Sequence, residues 1–478
     1  MNELTINLEA DSKKPLYEQI YEYIKLEIQT GNLLPHEKLP SARALASHLQ
    51  VSRSTIDLAY SQLVSEGYVE AVPCKGYFVS QIEELYFSEK FQRKESVEEN
   101  AKESTENSSG VSKSKPQEDI WKIDFKLTGI DLDNFPYNIW RKLSKNVLSY
   151  HENDIFSLGE SSGEYCLRQS ICKYLFQSRG VNCTPEQVVV GAGSEYLLFL
   201  IQKMLGNQMI AMESPTYVQA YRVLESLGHH MKMISMDTEG MKVEELSSCD
   251  AKLAYVMPSH QFPLGTIMPL KRRMELLKWA SKERERFIIE DDYDSEFRYK
   301  GKPIPALKAY DREDKVIYLG TFSKAIAPAI RISYMVLPRQ LCGVFEEKCG
   351  VYSSTVSRID QMVVCDFMNQ GYFGRHLNKM RGIYKAKHDA LLAGLKNISS
   401  IKKISGENAG VHMVIAFGTG TEAEWMKRAE NVGIKVYGLS GYFVNEKQSN
   451  PVRLLLGYAN LKEEEIIQAC EMLKKVWE

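Results

Sequence analysis

At 478 residues the chain is too long for one ordinary core, so it is read as two or more domains. Hydrophobic residues at 44% and charged residues at 26% fit a globular chain; no apolar run long enough to span a membrane and no secretory leader is present, so a cytoplasmic protein is expected. A net charge of −2 excludes a whole-surface attraction to nucleic acid, so any DNA contact must come from a local patch.

The first 80 residues are dense in helical periodicity. Leu16, Ile20, Tyr23, Ile24 and Ile28 form an apolar stripe, which predicts a helix over 16–28 closed by Gly31-Asn32. Ser41 is placed to cap a second helix running to about residue 49. A third opens at Val51-Ser52-Arg53-Ser54-Thr55 and continues through Ile56, Ala59, Tyr60 and Leu63. Two short helices joined by a tight turn, the second opening with Ser, Arg and Thr, match a recognition helix. There Arg can read guanine edges while hydroxyls take phosphates. Tyr68-Val69-Glu70 and Gly76-Tyr77-Phe78-Val79 read as a two-stranded wing with Lys75 and Gly76 at its tip.

The strings LPSARALA, VSRST, AYSQLVSEGY and GYFV, in this order, resemble the GntR family of winged-helix regulators over the whole of residues 1–80. The resemblance implies that Arg43, Arg53, Thr55, Lys75 and Gly76 contact double-stranded operator DNA. From residue 81 to 119 the composition turns to Ser, Glu, Lys and Asn, with almost no apolar residue after Phe91. Such a segment cannot bury enough surface to offset its ordering entropy and is expected to be a flexible linker, reaching about 35 Å as a coil.

From residue 120 to 478 short apolar runs alternate with amphipathic stretches. Strands are predicted at 187–190, 209–211, 253–256, 287–289, 316–319 and 333–336, with helices such as 195–205 and 270–282 between them. That alternation argues for an α/β domain with a mostly parallel sheet and a smaller C-terminal subdomain. Nine cysteines, none in a Cys-x-x-Cys pair, read as reduced thiols, and no metal site is expected.

The sharpest motif is Thr321-Phe322-Ser323-Lys324, followed by Arg331. The lysine sits just past a predicted strand, at the mouth where α/β sheets bind ligands. An amine there can form a Schiff base with a carbonyl cofactor, and nearby hydroxyls and a guanidinium suit a phosphate. Upstream, 287–289 runs into Glu290-Asp291-Asp292-Tyr293: a carboxylate for a pyridinium nitrogen and a phenol for a ring oxygen. Any of the three adjacent acids could be that carboxylate. Gly191-Ala192-Gly193-Ser194-Glu195 is a glycine turn entering a helix, an anion site.

Together with FPYNIWRKL, PSHQFPLG, EDDYDSEFRY, LGTFSKAIAPAIRISYMVLP and RLLLGYA, these motifs resemble fold-type I pyridoxal 5'-phosphate (PLP) enzymes of the aspartate aminotransferase superfamily. Joined to a GntR head, they resemble the MocR subfamily of regulators. The resemblance implies Lys324 as the internal aldimine and Asp291 as partner of the pyridine nitrogen, Asp291 being chosen over Glu290 and Asp292 because it shares a strand face with Tyr293. It implies Tyr293 at the phenolic oxygen, Tyr217 stacked on the ring, and Ser194, Ser323 and Arg331 on the phosphate. Arg453 would clamp an effector carboxylate, and the cofactor site would be built in a homodimer.

Two positions depart from that pattern. Phe262 stands before Pro263 where aminotransferases carry the Asn that touches the phenolic oxygen, leaving His260 or Gln261 as substitutes. This argues for a sensor with at most weak transaminase activity. Val218-Gln219-Ala220-Tyr221 lacks the arginine of GABA-sensing members, which disfavours GABA as effector. The expectation is a transcriptional regulator that senses an amino compound by external aldimine formation. The alternatives are a working aminotransferase that also binds DNA, or a sensor of PLP itself controlling vitamin B6 synthesis.

Overall fold

The computed structural model describes residues 6, 14–65, 68–72, 75–80, 121–150, 155–299, 304–407, 409–444 and 452–478. The chain separates into two compact units, Met1–Ser112 and Lys113–Glu478. The segment 81–119, expected as a linker, lies outside the described residues.

The first unit contains α1 (Leu16–Gln29), α2 (Ala42–Leu49) and α3 (Arg53–Ser65), then β1 (Val69–Val72) and β2 (Gly76–Val79). Ile20, Ile24 and Ile28 of α1 meet Leu45 of α2 and Ile56, Tyr60 and Leu63 of α3 in one core, each side chain contributing roughly 1.5–3 kcal/mol. The Ser41 hydroxyl accepts from the Ala44 N–H at 3.2 Å, satisfying one free donor at the start of α2. Ser52 does the same for Thr55 at 3.2 Å at the start of α3. β1 and β2 pair antiparallel with Val69 opposite Val79, and His36 and Leu39 add backbone bonds to Val79 and Tyr77 that brace the wing.

In the second unit the central sheet is formed by strands from across the sequence. β3 (Ile123–Asp124) precedes α4 (Tyr137–Tyr150) and α5 (Tyr165–Arg179); β4 (Val188–Gly191) leads into α6 (Ser194–Leu205). Then come β5 (Met209–Ser214), β6 (His230–Asp237), β7 (Gly240–Met241) and β8 (Leu253–Val256). β9 (Phe287–Asp292), β10 (Val316–Thr321) and β11 (Ser333–Val336) complete an eight-stranded sheet, ordered β4-β11-β10-β9-β8-β5-β6-β7. β10, β9, β8, β5 and β6 pair parallel, while β11 runs against both neighbours. Every residue of β4, β8 and β9 is buried, as the apolar runs of β4, of β8 and of the first half of β9 require of strands covered on both faces.

β12 (Ile401–Ser405), β13 (His412–Phe417), β14 (Ile434–Lys435), β15 (Tyr437–Gly438) and β16 (Val452–Gly457) follow. β12, β13, β16 and β15 form a second sheet, and β14 pairs with β3. Helix Glu463–Trp477 packs here, with Trp477 fully buried in the same core as Phe417 and Trp425. This is the expected smaller C-terminal layer. Among the described residues no helix is long and apolar enough to cross a membrane.

Candidate functional site

The parallel strands β8, β9 and β10 end along one edge of the sheet, where Met257, Asp291 and Thr321 open onto a cavity of about 320 Å³. Lys324, Asp291, Tyr293 and Tyr217 line it. So do Ser194, Ser323 and Arg331, so that all seven residues expected around a cofactor share one cavity. Loop Leu127–Thr128, His412 and Tyr442 close it from the C-terminal part of the unit and the segment before α4.

Of the three acids at the end of β9, only Asp291 lines the cavity. Glu290 faces away and accepts from the Leu307 and Lys308 amides at 2.7 and 2.9 Å. Asp292 takes the Arg179 Nε at 2.8 Å and the Tyr318 hydroxyl at 2.6 Å. The alternation of the strand therefore gives two acids structural partners and presents the third to the cavity. The Tyr255 hydroxyl donates to Asp291, yet burial raises the carboxyl pKa to about 6. A protonated ring nitrogen would supply the positive charge that the buried carboxylate otherwise does without.

Lys324 follows β10 and donates to the Leu127 and Gly129 carbonyls at 2.9 and 3.1 Å. Burial lowers its pKa to about 8, so roughly a tenth is free amine at pH 7, far more than for an ordinary lysine. Thr321 binds the same turn together: its hydroxyl donates to Ser323 Oγ at 3.0 Å and accepts from Ser333 Oγ at 2.9 Å.

The anion cup lies between β4 and α6. Ser194 opens α6, whose first amides are free of helical partners, and Gly193 before it adopts φ +93°. A Cβ at Gly193 would collide with the Arg331 guanidinium, so the glycine is what lets this side chain in. Arg331 is half exposed, takes a left-handed backbone and pairs with Glu195 at 2.8 Å. Backbone amides, hydroxyls and a guanidinium in one cup fit a phosphate, and the amine, carboxylate and phenol opposite fit a pyridoxal ring.

Phe262, which departs from the aminotransferase pattern, forms an apolar wall with its ring 5.7 Å from Tyr217, 6.0 Å from Tyr293 and 5.5 Å from His412. His412 donates from Nε2 to the Pro263 carbonyl at 2.9 Å, and burial holds its pKa down at about 4, so it is neutral. Gln261 does not line the cavity; its side-chain amide donates to the Pro215 carbonyl at 2.9 Å. Arg453 is not among the lining residues either. It stands opposite Ala416, on the same sheet face as His412 but four residues along β13, about 13 Å away.

The sequence did not mark His412, Tyr442 and the Leu127–Thr128 loop, which line the cavity, or Tyr255, which bears on it through Asp291. Strand order and chain crossover bring them there, and no local spacing marks them. In the first unit, Arg43 and Lys75 are exposed, and Arg53 is exposed on the first turn of α3, 3.5 Å from Asp57. Thr55 Oγ1 is tied to Ser52 Oγ at 2.7 Å, and Gly76 opens β2 at φ +111°.

Residues 16–79 match the model of the bacterial regulatory proteins of the gntR family, and residues 131–473 match aminotransferase class I and II. The uncharacterized HTH-type transcriptional regulator YdeL of Bacillus subtilis (strain 168) is 36% identical over 97% of each chain. The probable rhizopine catabolism regulatory protein MocR of Rhizobium meliloti is 30% identical, over 98% of this chain and 95% of its own. The crystal structure of a multiple substrate aminotransferase from Thermococcus profundus is 25% identical, with a TM-score of 0.67 over 76% of this chain and 92% of that one. An aminotransferase class I and II domain carries PLP. The chain belongs to the MocR subfamily of GntR transcriptional regulators, in which a DNA-binding head is joined to an aminotransferase-like domain.

Proposed function

We propose that this regulator senses an amino compound carrying a carboxylate, which it recognises beside PLP in the cavity at the strand ends. The observation that carries the reading is the convergence of Lys324, Asp291, Tyr293 and Arg331 on one cavity of about 320 Å³. When bound, PLP supplies an aldehyde that amines engage covalently and reversibly. Lys324 is the group proposed to hold that carbon and to be displaced by the effector amine. Ser194, Ser323 and Arg331 would hold the phosphate, Asp291 the ring nitrogen, Tyr293 the ring oxygen, and Tyr217 the ring face. Arg453, on the face of His412, is the proposed carboxylate clamp.

The DNA-reading surface proposed for the head is Arg43, Arg53, Thr55, Lys75 and Gly76, within residues 1–80. A linker over 81–119 would leave the head free to follow its operator, and residues 120–478 would form the sensing domain. A homodimer is part of the proposal, since two heads read two half-sites; so is a cytoplasmic location, where the operator lies. The Phe262 wall supports sensing over efficient transamination, because it offers no donor where an asparagine would.

The test presents amino acids singly to the PLP-loaded full chain, following its visible band and its footprint on DNA from its own promoter region. A band shift and a changed footprint with the same compound, without keto-acid release, is the expected result. Stoichiometric turnover to a keto acid would replace this reading with a DNA-binding enzyme. A footprint that responds to PLP alone would replace it with a PLP-level sensor.

A further inference from the structure

His260 occupies a built slot just outside the cavity. Its ring is 2% exposed, and Gly265 and Gly410, both at positive φ, leave the room it fills; a Cβ at Gly410 would collide with the ring. The Gly410 carbonyl is fixed by the Tyr299 and Tyr458 hydroxyls at 2.7 and 2.8 Å, and its amide by the Phe297 carbonyl at 2.8 Å. His260 Nδ1 lies 2.9 and 3.1 Å from the two oxygens of Asp294 and 3.0 Å from the Tyr293 hydroxyl.

A carboxylate can only accept, so Nδ1 carries the proton and gives it to Asp294. Tyr293 therefore cannot donate to Nδ1. Its nearby acceptor is Asp294, 1% exposed, to which the hydroxyl also donates and which the imidazole shares through both oxygens. The other charges facing Tyr293 are Asp291 and Asp292, and Asp292 is taken by Arg179 and Tyr318. His412, with its ring 5.2 Å from that of His260, is neutral.

We infer that His260 is a positioning residue: by competing for the Asp294 carboxylate it weakens that group's hold on the Tyr293 hydroxyl proton and leaves the proton available to the cavity. It substitutes for the missing asparagine indirectly, through Tyr293, since it does not line the cavity itself. Without the imidazole, buried Asp294 would hold the Tyr293 hydroxyl proton undivided and the ring oxygen of PLP would lose its donor. The inference rests on PLP occupying the cavity as proposed above.

The experiment is a pH titration of the visible band of the PLP-loaded full chain. A donor at the ring oxygen lowers the basicity of the chromophore, so its loss raises the midpoint. His260→Ala is expected to raise it by about one to two pH units, as is Tyr293→Phe. In the Tyr293→Phe background, His260→Ala should add no further shift. His260→Asn, whose N–H stands where Nδ1 was, should restore the wild-type midpoint, while His260→Gln, reaching toward Nε2, should not. If the alanine variant does not fold, the Asn and Gln pair decides the matter. An unmoved midpoint in His260→Ala, or an equal shift with and without the Tyr293 hydroxyl, overturns the inference and leaves the PLP reading standing. A wild-type protein that takes up PLP with no visible band overturns both.

Discussion

The Arg331 guanidinium lies against the bare Cα of Gly193, in space that any side chain at that position would fill. Because Gly193 also sits at φ +93°, an L-residue there is strained twice over. Gly193→Ala is expected to displace Arg331 and weaken PLP binding at least tenfold, about 1.4 kcal/mol, while pyridoxal, which lacks the phosphate, binds nearly as before. Equilibrium dialysis with the two compounds checks this. Equal losses for both would mean that the cup does not hold a phosphate.

Asp291 leads to a prediction about pH. Burial raises its folded pKa to about 6 from the ordinary 3.8, so the folded state holds a proton that the unfolded state has released. The associated stability is complete below the unfolded pKa and is lost as pH rises through about 6. Asp291→Asn removes that dependence. The cofactor-free variant should be more stable than wild type at pH 7, by about 2 to 3 kcal/mol at most, and no more stable at pH 3. PLP binding should weaken in the same variant, since a neutral amide is a poor partner for a protonated ring nitrogen. Thermal unfolding at the two pH values, together with dialysis, separates the effects.

The sequence was most informative where chemistry and local structure coincide. Strand 253–256 and strand 333–336 occur as expected, and β9 and β10 were foreshortened only because their polar ends, Glu290-Asp291-Asp292 and Gly320-Thr321, broke the apolar runs. Those polar ends are where the site begins. β6 was missed because its residues are mostly half-buried or exposed, so neither a buried run nor a clean alternation marks it. Asp291 could be chosen by face, but the partners that occupy Glu290 and Asp292 come from α5, β10 and the turn at 307–308, which no spacing reveals. His412 was unreadable for the same reason, being delivered by β13 from more than a hundred residues after β9.

In the DNA-binding head, Arg53 and Lys75 should behave differently. Arg53 opens α3 with its side chain 71% exposed, in a loose pair with Asp57 at 3.5 Å that DNA can displace. Arg53→Ala should cost about 1–3 kcal/mol on operator and relax its base preference, as expected for a bidentate guanine contact. Lys75→Ala should lower affinity evenly across sequences and flatten the salt dependence. Binding measured at fixed salt on operator and scrambled DNA tells them apart; unchanged selectivity in Arg53→Ala removes it from base reading.

Arg453 is not among the residues lining the cavity, whereas the proposed anchoring groups of the cofactor are, so its loss should spare them. Arg453→Ala is expected to bind PLP as wild type does, yet to need at least tenfold more of a carboxylate-bearing effector for the same spectral change. The same effector as its amide should lose nothing further in the variant. A wild-type effector response would make Arg453 a structural residue of the second sheet.

Lys324 decides between a sensor that uses its cofactor chemically and a fold that only holds a ligand. Its amine is desolvated at the mouth of β10, with a pKa lowered to about 8. Capture of PLP should therefore accelerate from pH 7 to 9 and level off just above the midpoint, well below the range of an ordinary lysine at 10.5. Borohydride should then fix the cofactor covalently to Lys324, which peptide mapping reads directly. Lys324→Ala should lose the visible band and the covalent link, while PLP still binds through Arg331, Ser323 and Asp291. The fold should survive, because the lysine's partners are two loop carbonyls, Leu127 and Gly129, rather than core side chains. Operator binding should also survive, because every proposed DNA contact belongs to the separate compact unit of the winged helix. What the variant should lose is the change in footprint and transcription on adding effector. A normal effector response from Lys324→Ala would leave a non-covalent ligand sensor on an aminotransferase fold.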